Sequence, residues 1–163
     1  MKIKFRILLL LFMFILASCS GNDDNESAIC IPTSMSMIIN GEPVEYNVSG
    51  TGIDWDWSRQ KHILDQSFYY SSSSLGESTI SYSVPHKLKG KNVFETFVFR
   101  TYLNGSYIEI NLLNEDFESE VITNSNTCLY AVFSGKFTLN NQEIIITEGK
   151  ASFIFENPIQ ISF

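Results

Sequence analysis

Beyond residue 33 the chain alternates apolar and polar side chains with a period of two for most of its length, and little of it repeats at helical spacing. Ser34–Ile39 and residues 42–48 flank Asn40-Gly41, a dipeptide that accepts the positive φ values of a tight hairpin turn, so they predict an antiparallel pair. Residues 92–102 and 106–112 repeat the arrangement around Asn104-Gly105. In the first, Phe94, Val98 and Tyr102 alternate with Glu95, Phe97, Phe99 and Thr101; in the second, Ile108, Ile110 and Leu112 alternate with Tyr107, Glu109 and Asn111. Period two fits strands with one buried face, and aromatic residues of both parities imply a sheet partly covered on each side.

Residues 53–58, 66–72 and 78–84 read as further strands. The final third continues as 127–139, a turn at Asn140-Asn141, 142–147, a turn at Glu148-Gly149, 150–156 and a last short strand at 159–163. The pattern predicts an all-β single domain, an antiparallel β-sandwich or barrel of about ten strands joined mainly by short turns. One helical turn is expected at 115–121, where Asn114 supplies a cap and acidic residues suit the positive end of the dipole.

The first nineteen residues break the alternation. Lys2, Lys4 and Arg6 precede an apolar run from Ile7 to Ala17, too short to span a bilayer as a helix and of the length of a signal-peptide core. Leu16-Ala17-Ser18-Cys19 resembles the lipobox of bacterial lipoproteins. The resemblance implies cleavage before Cys19, a diacylglyceryl group on its thiol and acylation of the new amino terminus. An uncleaved anchor and an ordinary secretory signal are the competing readings. Residues 20–27, Ser-Gly-Asn-Asp-Asp-Asn-Glu-Ser, lack apolar side chains and read as an acidic tether, so the expected organisation is a signal peptide at 1–18, lipidated cysteine and tether at 19–29, and a β domain at 30–163. The acidic stretch also resembles the surface-export signal of Bacteroidetes lipoproteins, which implies the outward face of the outer membrane. A plain solvated spacer, with the domain facing the periplasm, fits the same residues.

Phe133-Ser134-Gly135-Lys136-Phe137, followed by Ile144-Ile145-Ile146-Thr147-Glu148-Gly149-Lys150-Ala151-Ser152-Phe153, resembles the closing strands of small uncharacterised β-domains in Bacteroidetes lipoproteins. The resemblance covers residues 128–156 and carries no activity over.

Without residues 1–18 the chain keeps eight basic and eighteen acidic residues, a formal charge of −10. Nucleic acid is thereby an unsuitable partner, because polyanion binding needs a basic footprint. Cys30 and Cys128 are left as a pair once Cys19 is assigned to lipid, and an exported compartment favours a disulfide between them; two free buried thiols are the alternative.

Enzyme signatures such as HExxH, GxSxG and GxxxxGK[ST] are missing, and His62 and His86 lie in unrelated polar segments. No cofactor or metal is expected, and the chain reads as a binding module rather than an enzyme. Ile53-Asp54-Trp55-Asp56-Trp57 is the sharpest local feature. In a strand, Trp55 and Trp57 project to one side, as a stacking platform for sugar rings or as core. Asp54 and Asp56 project to the other about 6.6 Å apart, a separation usable in inverting glycoside hydrolysis or calcium binding, or simply solvated. Lys87, Lys89 and Lys91 place three of the eight remaining basic residues in one loop, either an anion site or a solvated loop. Glu115, Asp116, Glu118 and Glu120 are dense but lack the spacing and glycine of an EF-hand. The sequence therefore supports two classes of function: capture of an extracellular ligand such as a glycan, or an accessory role in an envelope protein complex.

Overall fold

Two pairs of left-handed residues join the central strands. Asn40 and Gly41 have φ of 50° and 87°, and Asn140 and Asn141 have φ of 50° and 62°, the signature of two-residue turns whose twist matches that of the strands they connect. The computed structural model describes residues 30–72, 76–103 and 105–157. The expected signal peptide, Cys19, the tether, Asn104 and the strand at 159–163 lie outside these residues.

The strands are β1 (Ser34–Ile39), β2 (Glu42–Asp56), β3 (Lys61–Ser72), β4 (Gly76–Pro85), β5 (Gly90–Lys91), β6 (Thr96–Leu103), β7 (Ser106–Asn111), β8 (Asp116–Asn124), β9 (Cys128–Leu139) and β10 (Gln142–Ile154). They form one ten-stranded sheet in the order β5-β8-β9-β10-β1-β2-β3-β4-β6-β7. Every pairing is antiparallel. The sheet curls into a half-barrel, consistent with the expected all-β architecture. Curling brings the two wings face to face: Phe97 of β6 meets Phe117 of β8 and Phe133 of β9 at ring separations of 4.7 and 4.9 Å, and Phe99 meets Phe137 at 5.3 Å. One continuous core results, in which Met35, Leu64, Phe68, Ile80, Phe97, Leu129 and Ala131 are fully buried.

Four local expectations are corrected. Residues 115–121 are extended, not helical. β8 pairs with β9 from Asp116↔Lys136 to Asn124↔Leu129, turning Ser119 and Val121 into the core and Glu118 and Glu120 to solvent, so the ladder overrides the local capping signal. The only helical element among the described residues is the 3-10 turn Leu112–Asn114, capped one turn earlier than expected by the Asn111 side chain, which accepts from the Leu113 amide at 3.1 Å. Glu148-Gly149 is not a turn. β10 runs through it, and a bulge between Ile146 and Gly149 absorbs the left-handed Glu148 (φ 52°). Gly149 is needed there because a Cβ would lie 2.4 Å from the Phe133 ring. Residues 42–48 and 53–58 are one strand, with a bulge between Val48 and Gly50. Finally, β6 begins at Thr96, because Asn92 (φ 53°) turns the chain after β5.

The strand directions define two ends. β1, β3, β6 and β9 start at the end that holds Cys30, Cys128 and the 57–60 turn, called the base. They finish at the mouth, where the Asn40-Gly41 and Asn140-Asn141 turns lie.

Candidate functional site

The base gathers the residues singled out from sequence. β2 and β3 pair as far as Trp55↔His62 and Asp56↔Lys61, so Trp57 falls in the turn beyond the ladder and not on the strand face shared with Trp55. Asp56 organises that turn: its Oδ1 accepts from the Ser58 amide (2.9 Å), the Ser58 hydroxyl (2.6 Å) and the Arg59 amide (3.1 Å). These bonds, led by Ser58 and then Arg59, hold the Asp56 carboxyl well below the usual carboxylate range. Arg59 reaches on to Glu95, which also takes Lys61 Nζ at 2.9 Å. Burial pushes the Glu95 carboxyl up, and the bonds from Arg59 and Lys61 outweigh it, leaving the group below its ordinary value. An aspartate committed to a turn and a guanidinium is a structural anion, and the proposed pairing of Asp54 with Asp56 for glycoside hydrolysis loses its second member.

Trp57 is 85 % exposed, whereas Trp55 is half-buried against His62 at 4.7 Å. The indoles are 6.1 Å apart with an interplanar angle of 88°, so they do not offer the flat double platform that successive sugar rings stack upon.

Lys87, Lys89 and Lys91 are exposed on the connection between β4 and β6, with Lys91 in β5 opposite Glu120 of β8. The connection is pinned from below: the Asn124 amide donates to the carbonyls of Pro85 (2.9 Å) and Leu88 (3.0 Å). The His86 amide donates to the His62 carbonyl at 2.9 Å, and His86 Nε2 lies 3.3 Å from the Ser125 carbonyl. Ser125 in turn contacts Cys128, which is bonded to Cys30 across 98 residues with a Cα separation of 5.7 Å. Tryptophans, lysine loop and disulfide thus form one contiguous base. Among the described residues no group of three or more His, Cys, Asp or Glu side chains is arranged to hold a metal ion.

The mouth holds what the sequence reading missed. A cavity of about 350 Å³ opens between the wings there, within the range of small-molecule sites. Ile39, Phe99, Phe137, Leu139 and Ile144 give it apolar walls, and Tyr46, Ser78, Thr101, Asn140 and Gln142 give it polar groups. Tyr46 Oη and Ser78 Oγ are 3.1 Å apart, and the Thr101 hydroxyl donates to the Glu77 carbonyl at 3.0 Å. Burial pushes the Tyr46 phenol up to about 12, so it remains protonated, a donor and acceptor over the physiological range. The Tyr70 ring packs 5.3 Å from Tyr46 and backs it. An apolar slot with hydroxyls on one side can hold a small amphipathic molecule by its hydrophobic face and bond its polar groups.

The only sequence trace of this site is polar residues at inward positions. Ser78 and Thr101 are buried partners across the β4–β6 ladder, at positions that alternation assigns to the core. The lining comes from β1, β2, β4, β6, β9 and β10, so no local motif announces it.

The chain matches no protein-family model, and searches of curated proteins and of solved structures yield no match.

Proposed function

We propose that the chain is a lipid-anchored binding module of the outer membrane whose half-barrel captures a small extracellular ligand, a glycan terminus being the class that best suits the cavity. The observation that carries this reading is position: the cavity opens at the mouth, at the opposite end of the strands from Cys30, where the chain leaves toward Cys19. A domain held by lipid at Cys19 would offer that opening to the surroundings. The Cys30–Cys128 disulfide supports export to an oxidising compartment. Phe99 and Phe137 supply the apolar contact that a sugar face uses, and Tyr46, Ser78 and Thr101 supply hydroxyls.

The test is a glycan-panel screen of the full chain beside two variants, Ser78→Ala and Trp57→Ala. Loss of one buried hydroxyl partner costs about 1–2 kcal/mol, so Ser78→Ala is expected to weaken binding roughly 5- to 30-fold while Trp57→Ala leaves it unchanged. The reverse pattern would move the site to the base and sink the cavity reading.

A second reading, an accessory subunit of an envelope complex, is favoured by one feature. β7 ends the sheet, and it carries Tyr107, 63 % exposed, beside Tyr102, 55 % exposed on β6. An open edge with aromatic side chains suits strand addition by a protein partner. A co-purifying envelope protein lost on Tyr107→Lys, with silence across the glycan panel, would establish it.

A further inference from the structure

We propose that the base of the half-barrel is a bilayer-docking surface, in which Trp57 and Leu88 enter the headgroup region of the membrane that carries the anchor. The inference rests on the lipid-anchor reading of Cys19 and adds an orientation to it.

Three observations converge. First, Trp57 is the most exposed large apolar side chain of the described residues, at 85 %, and Leu88 is 42 % exposed. The bonds of that turn are made by Asp56, Ser58 and Arg59 rather than by the indole, whose ring meets Trp55 edge-on at 6.1 Å. Indoles prefer the membrane–water boundary, where the ring meets apolar chains and the N–H stays wet.

Second, Trp57 and Leu88 belong to the end where the anchor enters. The path is continuous: Trp57 to Trp55, Trp55 to His62, the His62 carbonyl to the His86 amide, His86 to Ser125, and Ser125 to Cys128 with its bond to Cys30. Cys19 and Cys30 are eleven residue steps apart, which at full stretch is about 40 Å. The lipid therefore keeps this end within that distance of the bilayer, where even a weak interfacial contact is favoured by its high local concentration.

Third, the local charge does not oppose an approach to lipid phosphates although the chain as a whole is acidic. Arg59, Lys61, Lys87, Lys89 and Lys91 stand against Asp54, Asp56, Asp65, Glu95 and Glu120, so this end is close to neutral.

The full chain is expressed, purified from the membrane fraction and reconstituted into phosphatidylethanolamine–phosphatidylglycerol vesicles with brominated acyl chains. A Trp55→Phe background leaves Trp57 as the sole tryptophan. The expected result is at least two-fold quenching of Trp57 relative to unbrominated vesicles, little quenching of Trp55 in a Trp57→Phe variant, and reduced Trp57 quenching in Leu88→Ser. A Cys19→Ala variant, fractionated in parallel and added to the same vesicles, reports the anchor separately. Anchored protein with unquenched Trp57 overturns the docking surface and leaves the anchor standing. A wild-type chain found soluble and unquenched overturns both.

Discussion

The two ends of the half-barrel are closed by different means. At the mouth, β1–β2 and β9–β10 are joined by two-residue turns, Asn40-Gly41 and Asn140-Asn141, neither of which is long enough to fold across the opening. The space between Phe99 and Phe137 and the Tyr46–Ser78 pair stays available as a cavity. At the base the connections are longer, at 57–60, 86–95 and 125–127, and they bond to one another through Asn124, His86, Glu95 and the disulfide. Chain that crosses a core must find partners for its backbone, and here side chains provide them. A curled sheet thus keeps a site where its turns are tightest and forms a plug where they are long. Conformational restraint is concentrated at the base, and the cavity lies at the mouth.

The largest expected effect breaks both ends at once. Phe97 touches Tyr82 and Phe94 on its own wing and Phe117 and Phe133 on the other, and it is fully buried. Phe97→Ala removes the central contacts between the wings, leaving Phe99–Phe137, and is expected to cost about 3–5 kcal/mol, read as a lowered urea midpoint. A loss under about 1 kcal/mol would mean that the wings stand independently.

Next comes the staple of the base. Replacing both Cys30 and Cys128 with serine opens a loop closed across 98 residues. The chain-entropy model puts loops of that size at about 4.7 kcal/mol, and measured losses are commonly about 2–4 kcal/mol. Amide exchange should rise first at Ser125, Cys128 and His86, while the Asn40 amide, bonded to the Ile145 carbonyl at 2.9 Å, keeps its protection. Equal loss at both turns would erase the distinction between plug and mouth.

The same contrast explains what could be read from the chain. The mouth turns were legible because Asn-Gly and Asn-Asn between alternating runs leave few conformations open, and both adopt positive φ. The disulfide was legible by count. β8 was not: Phe117, Ser119 and Val121 carry the period of two, but Ser119 is polar and four acidic neighbours imitate a helix start, so only the edge of β9 decides the issue. The bulges at Val48/Gly50 and Ile146/Gly149 keep β2 and β10 continuous through glycines that resemble turns. The cavity was hidden because its lining is assembled across six strands, whereas Trp55-Asp56-Trp57 drew attention as a contiguous string.

Acid should act mainly on the base. Burial, with help from Lys87 and His62, holds the His86 imidazole below its ordinary value, so the unfolded chain takes up a proton that the folded chain resists. That contribution is complete above about pH 6.5 and is lost as pH falls through the lower folded value. Asp56 and Glu95 have the same sign, and their contributions fade as pH falls below about 4 toward their depressed values. Asp65 opposes them: burial, with Asp54 and Glu95 nearby, raises its carboxyl, so its charged form costs stability as pH rises through that range. The urea midpoint is therefore expected to drop between pH 7 and pH 5, by less than either substitution above, and His86→Gln should flatten that first drop. A midpoint independent of pH in that window would remove His86 from the plug.

The smallest expected effect on stability is the one that separates the two tryptophans. Trp55 packs against His62 at 4.7 Å and is half-buried, so Trp55→Ala should cost on the order of 1–3 kcal/mol and loosen the β2–β3 turn. Trp57 is 85 % exposed, and the turn around it is held by Asp56, so Trp57→Ala should change stability by no more than about 0.5 kcal/mol. Thermal unfolding of both variants beside the wild type measures the difference. An exposed indole that can be deleted without cost does not serve packing, and its face is open to contact from outside the chain. A Trp57→Ala loss as large as that of Trp55→Ala would instead make Trp57 part of the plug, and the base would then be a closure with no outward-facing role.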